Sequence, residues 1–263
     1  MLTGLGIVLI IWIISILSSS PEVALCPTGL PDNISYGDKI LNENDRNLDP
    51  AQSGTKKLQE ACTKFGNGQD KNAVAAGIPL LNQAVNNLTT AHEQNTNNAE
   101  ILTYKNNAEV YRDYAIEISQ STQKPNRPKI LAVAIPVNPR NSSLKEEIKE
   151  SADGINLGVA IAQKEFNQKN NHKFIVFIAD DKNDTNTAEP IINSLKKVQP
   201  EIVGVVGHAF SSLTINAVNF YNKNKLVLIS PTSTAVNIRP GNLTDGEIIY
   251  SEFAPLINQL PKK

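Results

Sequence analysis

Residues 201–234 read EIVGVVGHAFSSLTINAVNFYNKNKLVLISPTST, and the succession of textures within them decides the fold. Ile202, Val203, Val205 and Val206 form a short β-branched run that ends at Gly207. Such a run suits a strand buried on both faces. Residues 208–211 turn the chain, and Ser211 or Ser212 is placed to cap a helix whose Ala217, Val218 and Tyr221 share one face. That helix closes over residues 222–225, the next strand occupies 226–229, and 230–234 leave it as a polar loop.

A parallel strand pair joined by a helical crossover places both loops at the carboxyl ends of neighbouring strands, where open α/β sheets bind ligands. The loops carry hydroxyls from Ser211, Ser212, Thr232, Ser233 and Thr234. They also offer helix N-terminal amides, which favour an anionic group. This predicts a site for a small anion or zwitterion, with no reactive group beside it.

The same alternation extends upstream. Residues 129–137 read as a strand, and Ser143 opens a long helix with a capping box to Glu146. Leu144, Ile148, Ala152, Ile155, Val159, Ala162 and Phe166 trace its apolar stripe. A second strand over 174–179 and a second helix over 186–198, with Asn186 and Glu189 at its start, complete the pattern. The chain from 129 onward is therefore expected to be α/β, a parallel sheet with helices on both faces. Asp180, Asp181 and Asp184 in the loop ADDKND invite a cation or acid–base reading. Without a full set of oxygen ligands at the right spacing, an exposed, solvated loop capping the next helix is the expectation.

The segments GVVGHAFSS (204–212) and LVLISPTST (226–234), with the spacing between them, resemble the first lobe of type I periplasmic binding proteins. The likeness is to the branched-chain amino-acid receptors of ABC transporters in particular, and it runs over 129–234. It implies a non-enzymatic solute-binding protein without a cofactor, serving an ABC permease or a sensor partner. It implies that Ser211 binds the ligand carboxylate through hydroxyl and amide. Thr232 would supply a carbonyl to the ligand ammonium, Thr234 a hydroxyl and an amide, and the backbone of Ala209 and Phe210 would line the pocket. Neutral hydroxyls and backbone dipoles can hold a zwitterion without burying an unpaired protein charge. The alternative is that these Ser and Thr residues only cap helices and turns.

Competing chemistries lack their signatures. His208 and Ser211 stand three residues apart, but no G-x-S-x-G elbow accompanies them. Gly204 and Gly207 do not make a dinucleotide fingerprint, and no phosphate-binding G-x-x-x-x-G-K-[ST] loop occurs. The net charge of −1 gives no electrostatic case for nucleic acid. The three histidines, His92, His172 and His208, lie far apart and show no zinc spacing.

Residues 5–17 are almost wholly apolar, include Trp12 and precede the run SSSP, so 1–20 reads as a secretory signal peptide or a membrane anchor. The sequence VALC ending at Cys26 resembles a lipoprotein box, with Leu25 where a small residue is usual. A periplasmic or otherwise extracytoplasmic location follows, possible contact with a membrane being through this segment. In an exported chain Cys26 and Cys62 are a plausible disulfide.

Between that segment and the α/β region, 21–54 is rich in Pro, Gly, Asn and Asp and reads as an irregular linker. Residues 55–119 read as helical, with helices over 56–65 and 73–91 and a third marked by Ile101, Tyr104, Ala108, Tyr111, Ala115 and Ile118. The segment NNAEILTYKNNAEVY (97–111) resembles the end of a tetratricopeptide-like unit. A packing hairpin and a partner-binding surface both remain open for it. Residues 120–128 form a second linker, and 129–263 the ligand-binding lobe. Receptors of the resembled type carry a second lobe of similar size and close on the ligand between the two. Residues 235–263, with a first crossing strand over 248–253, are too few for one, so a truncated receptor is expected. The alternative function is a membrane-tethered sensor or protein-interaction fragment that uses the helical region.

Overall fold

The computed structural model describes residues 26–27, 29–42, 48–66, 68, 70–123, 125–139, 145–197, 202–232 and 249–250. Its strands are β1 (Ile34–Ser35), β2 (Lys129–Ile135), β3 (Phe174–Asp180), β4 (Ile202–Gly207), β5 (Val227–Ile229) and β6 (Ile249–Tyr250). Its helices are α1 (Asp49–Phe65), α2 (Lys71–Gln94), α3 (Ala99–Gln120), α4 (Lys145–Lys169), α5 (Ala188–Lys196) and α6 (Ser211–Lys223). The strands make one sheet in the order β1-β3-β2-β4-β5-β6. Every pairing is parallel except β1 with β3.

The sheet is thus mixed, where a purely parallel one was expected. The antiparallel strand comes from the stretch read as an irregular linker. A two-residue edge strand is too short to show period-2 alternation, yet Ile34 and Ser35 are fully buried. Nearby Tyr36, Ile40 and Leu41 are buried too. The first helix also begins earlier than its apolar spacing suggested, at Asp49, with a proline in its first turn and an acidic residue at its start. Gly54 hides this extension in the sequence. A Cβ there would lie 2.6 Å from Leu88 Cγ, so the glycine allows α1 and α2 to approach closely. Cys26 and Cys62 are joined as a disulfide, which ties the segment before β1 to α1.

The periodicity of α3 holds: Ile101, Tyr104, Ala108, Tyr111, Ala115 and Ile118 are all buried. The helices and the sheet share one continuous core. Polar side chains join them as well. Asn107, buried on α3, accepts from Val176 N (2.9 Å) and donates to the carbonyls of Val176 (2.6 Å) and Tyr36 (2.9 Å). Gln163 and Asn167 of α4 donate to Phe174 O at 3.0 and 2.9 Å, and Asn167 Oδ1 accepts from Phe174 N at 2.8 Å. Beyond the short β1, side-chain amides therefore complete the outer edge of β3.

This changes the face that α4 buries. Its buried residues are Ile148, Ala152, Asn156, Ala160 and Gln163. Ala162 is exposed, and Phe166 and Ile161 remain 37% and 47% exposed. The expected apolar stripe is rotated because the contact with α3 is polar: Asn106 Nδ2 donates to Ala160 O (2.9 Å), and Thr103 Oγ1 donates to Asn156 Oδ1 (3.2 Å). A hydrophobic-spacing argument cannot register such a face. The capping box at Ser143 lies outside the described residues.

From β2 the chain crosses through α4 to β3 on one side, then through α5 to β4 on the other. With right-handed crossovers this reversal puts α4 and α5 on opposite faces of the sheet. It also makes the carboxyl ends of β2 and β4 the topological switch point, the place where doubly wound sheets bind ligands in a crevice. The described part of the expected crossing strand is β6, which extends the same sheet beside β5. Among the described residues no helix is long and apolar enough to cross a membrane; residues 5–17 lie outside them.

Candidate functional site at the carboxyl edge of the sheet

The expected site residues gather at this edge. Ala209 and Phe210 follow β4, Ser211 opens α6, and Thr232 follows β5. Thr234 lies outside the described residues. Ser211 is not the helix cap: Phe210, extended at φ −123 and ψ 140, holds that position, and Ser211 is the first helical residue. A phenylalanine has no oxygen with which to cap, so the first-turn amides of α6 receive nothing from the N-cap side chain. The Thr232 hydroxyl donates to Ala209 O at 2.6 Å, linking the two loops directly.

Gly207 sets the approach of β4 to β2. It has φ +131, and a Cβ would stand 2.1 Å from Ala134 O. No side chain fits there, which explains a glycine at the end of an otherwise β-branched strand.

The acidic loop after β3 differs from its expectation. Asp180 is 2% exposed and Asp181 is fully buried. Successive residues of an extended chain point to opposite sides, and the two carboxylates serve opposite loops. Asp180 Oδ1 accepts from Val137 N (2.9 Å), Asn138 N (3.3 Å) and Lys182 N (3.0 Å), and Oδ2 accepts from Asn138 Nδ2 (3.1 Å). It thereby holds the loop after β2. Asp181 Oδ1 accepts from Asn183 N (2.9 Å), and Oδ2 lies 2.7 Å from His208 Nδ1, in the loop after β4. Burial raises the Asp180 carboxyl above its ordinary range, against the lowering effect of its hydrogen bonds. Only Asp184 behaves as a local loop residue, accepting from Asn186 N. Helix α5 starts at Ala188 rather than at Asn186.

His208 is itself fully buried. Its Nε2 lies 3.2 Å from the Tyr221 hydroxyl, and burial pushes that phenol upward. Its carbonyl accepts from Ser230 Oγ at 3.2 Å. Asp181, Thr214 and Ser230 lie behind the loops, where a buried polar residue has no periodic signature, and Tyr221 reads in the sequence only as part of the apolar face of α6. Among the described residues no group of three or more His, Cys, Asp or Glu is arranged to hold a metal ion.

The carboxyl edge is electrically neutral on its β4 and β5 sides. Residues 208–213 and 230–232 contain no lysine, arginine, aspartate or glutamate. A separate cavity of about 460 Å³ lies between α3 and α4, lined in part by Asn106, Glu117, Pro128, Lys164 and Lys173. Pro128 and Lys173 immediately precede β2 and β3, which places this cavity at the amino edge of the sheet, away from the expected site. The chain matches no family model, and no curated protein or solved structure matches it significantly.

Proposed function

We propose that the protein is a non-enzymatic, extracytoplasmic solute-binding protein of the amino-acid receptor type, its sheet being the first lobe of a type I periplasmic binding fold. The observation that carries this reading is the neutral edge at the switch point. There Ser211 opens α6 behind an N-cap phenylalanine that makes no side-chain capping bond, next in sequence to the loop in which the Thr232 hydroxyl donates to Ala209 O. A helix N-terminus favours a carboxylate. Carbonyls of the neighbouring loop suit an ammonium. The ligand is accordingly a zwitterionic amino acid or a related small polar molecule, and no cofactor takes part. The apolar segment 5–17 supports export or anchoring beside a permease or sensor partner.

The setting of His208 favours binding over hydrolysis. The only histidine of the site has its ring wholly enclosed and engaged by Asp181 and Tyr221. It has no open side from which to activate a nucleophile. Isothermal calorimetry against a panel of amino acids and amides tests the proposal. Heat with at least one zwitterion, weakened in Ser211→Ala, is the expected result; a folded protein silent across the panel would overturn it.

A further inference from the structure

We propose that the buried chain Asp181–His208–Tyr221 is the positioning device of this site: it holds the main chain between Gly207 and Ser211 and so sets the attitude of the α6 N-terminus. The inference rests on the binding reading above for its functional meaning, and on geometry alone for its structural content.

An Asp–His–hydroxyl series is the form of a catalytic relay, but its placement is different here. All three residues are fully buried, and every polar atom of the His208 ring is spent within the protein. Asp181 Oδ2 lies 2.7 Å from Nδ1, and Nε2 is 3.2 Å from the Tyr221 hydroxyl. What the series joins is more informative. Asp181 N donates to Ile135 O at the end of β2 (3.0 Å), so the residue is fixed between β2 and β3. The His208 carbonyl receives Ser230 Oγ from the end of β5 (3.2 Å). Thr214 Oγ1, from the first turn of α6, donates to Phe210 O at 3.1 Å and lies 3.2 Å from Ser230 Oγ. Tyr221 sits two turns further along α6. Through Asp181, His208 and Tyr221, with Ser230 and Thr214 beside them, the ends of β2, β3, β4 and β5 and two turns of α6 are tied to one another. The side chains of Asp181, His208 and Tyr221 are fully enclosed. They act through the loop between Gly207 and Ser211, lowering the ordering cost that ligand binding would otherwise meet.

The test uses the full chain, labelled with ¹⁵N, as wild type, Tyr221→Phe and Asp181→Asn. Tyr221→Phe keeps the ring and removes one hydrogen bond; Asp181→Asn replaces the carboxyl group facing His208 Nδ1 with an amide. The amide signals of Ala209, Phe210, Ser211 and Ser212 are compared with those of Ala108 on α3, without ligand, at a temperature where each protein is folded. Both variants are expected to move or broaden the loop signals while Ala108 stays in place, with Asp181→Asn the larger effect. A merely structural role would lower the thermal midpoint and leave the folded-state loop signals unchanged, and that result would overturn the proposal. L-Leucine then serves as probe: where wild type binds it, Asp181→Asn is expected to weaken binding by roughly tenfold and Tyr221→Phe by less. Equal affinities in all three proteins would contradict the positioning role. Wild type silent to the amino-acid panel would count against the binding reading, and the ligand-free loop signals would still decide the positioning claim.

Discussion

The carboxylate of Asp180 and the missing side chain of Gly207 show how much of the carboxyl edge depends on single residues. Asp180 accepts four hydrogen bonds from the loops after β2 and β3, and burial raises its folded-state pKa above the ordinary value of 3.8. Between those two values the folded protein keeps the proton and the unfolded chain has lost it. Stability therefore falls as pH rises through that window. Asp38, also raised by burial, contributes a slope of the same sign. Urea midpoints measured across the window are expected to fall less steeply with pH in Asp180→Asn than in wild type; parallel curves would refute the assignment. Gly207→Ala puts a methyl group 2.1 Å from Ala134 O at a φ of +131. Relief requires β4 to move away from β2, at a cost of about 3 kcal/mol or more. The denaturation midpoint measures it, and a midpoint within error of wild type would show that the two strands are not held this closely.

At the scale of elements, α3 and α4 finish a sheet edge that the strands leave open. Asn107 serves the carbonyls of Tyr36 and Val176 and the amide of Val176. Asn107→Ala strands these three buried groups, and at about 1–3 kcal/mol for each group left unpaired the expected loss is at least about 3 kcal/mol. Chemical denaturation checks it; a loss under about 1 kcal/mol would mean that water replaces the amide. The sequence reading found α2, α3, β2, β3, β4 and α6 because each buries a β-branched run or a regular apolar face. It found the candidate loops because they adjoin those strands. It missed β1, which is two residues long, and the true inner face of α4, where Asn156 and Gln163 replace apolar residues. It also placed Asp180 and Asp181 in solvent. A carboxylate's partners here are backbone amides and a histidine distant in sequence, and only the folded chain brings them together.

Across the whole molecule, the helical segment and the α/β sheet form one packed body around a shared core, and the covalent link Cys26–Cys62 joins its first described residue to α1. The arrangement leaves one neutral, hydroxyl-bearing edge at the switch point of the sheet, and the proposed function stands or falls there. The most direct measurement is a titration of the ¹⁵N-labelled full chain with single amino acids, following backbone amide shifts residue by residue. The account predicts saturable shifts centred on Ala209, Phe210, Ser211 and Thr232 with at least one amino acid. Shifts confined to the cavity between α3 and α4, or none with any amino acid on folded protein, would contradict it.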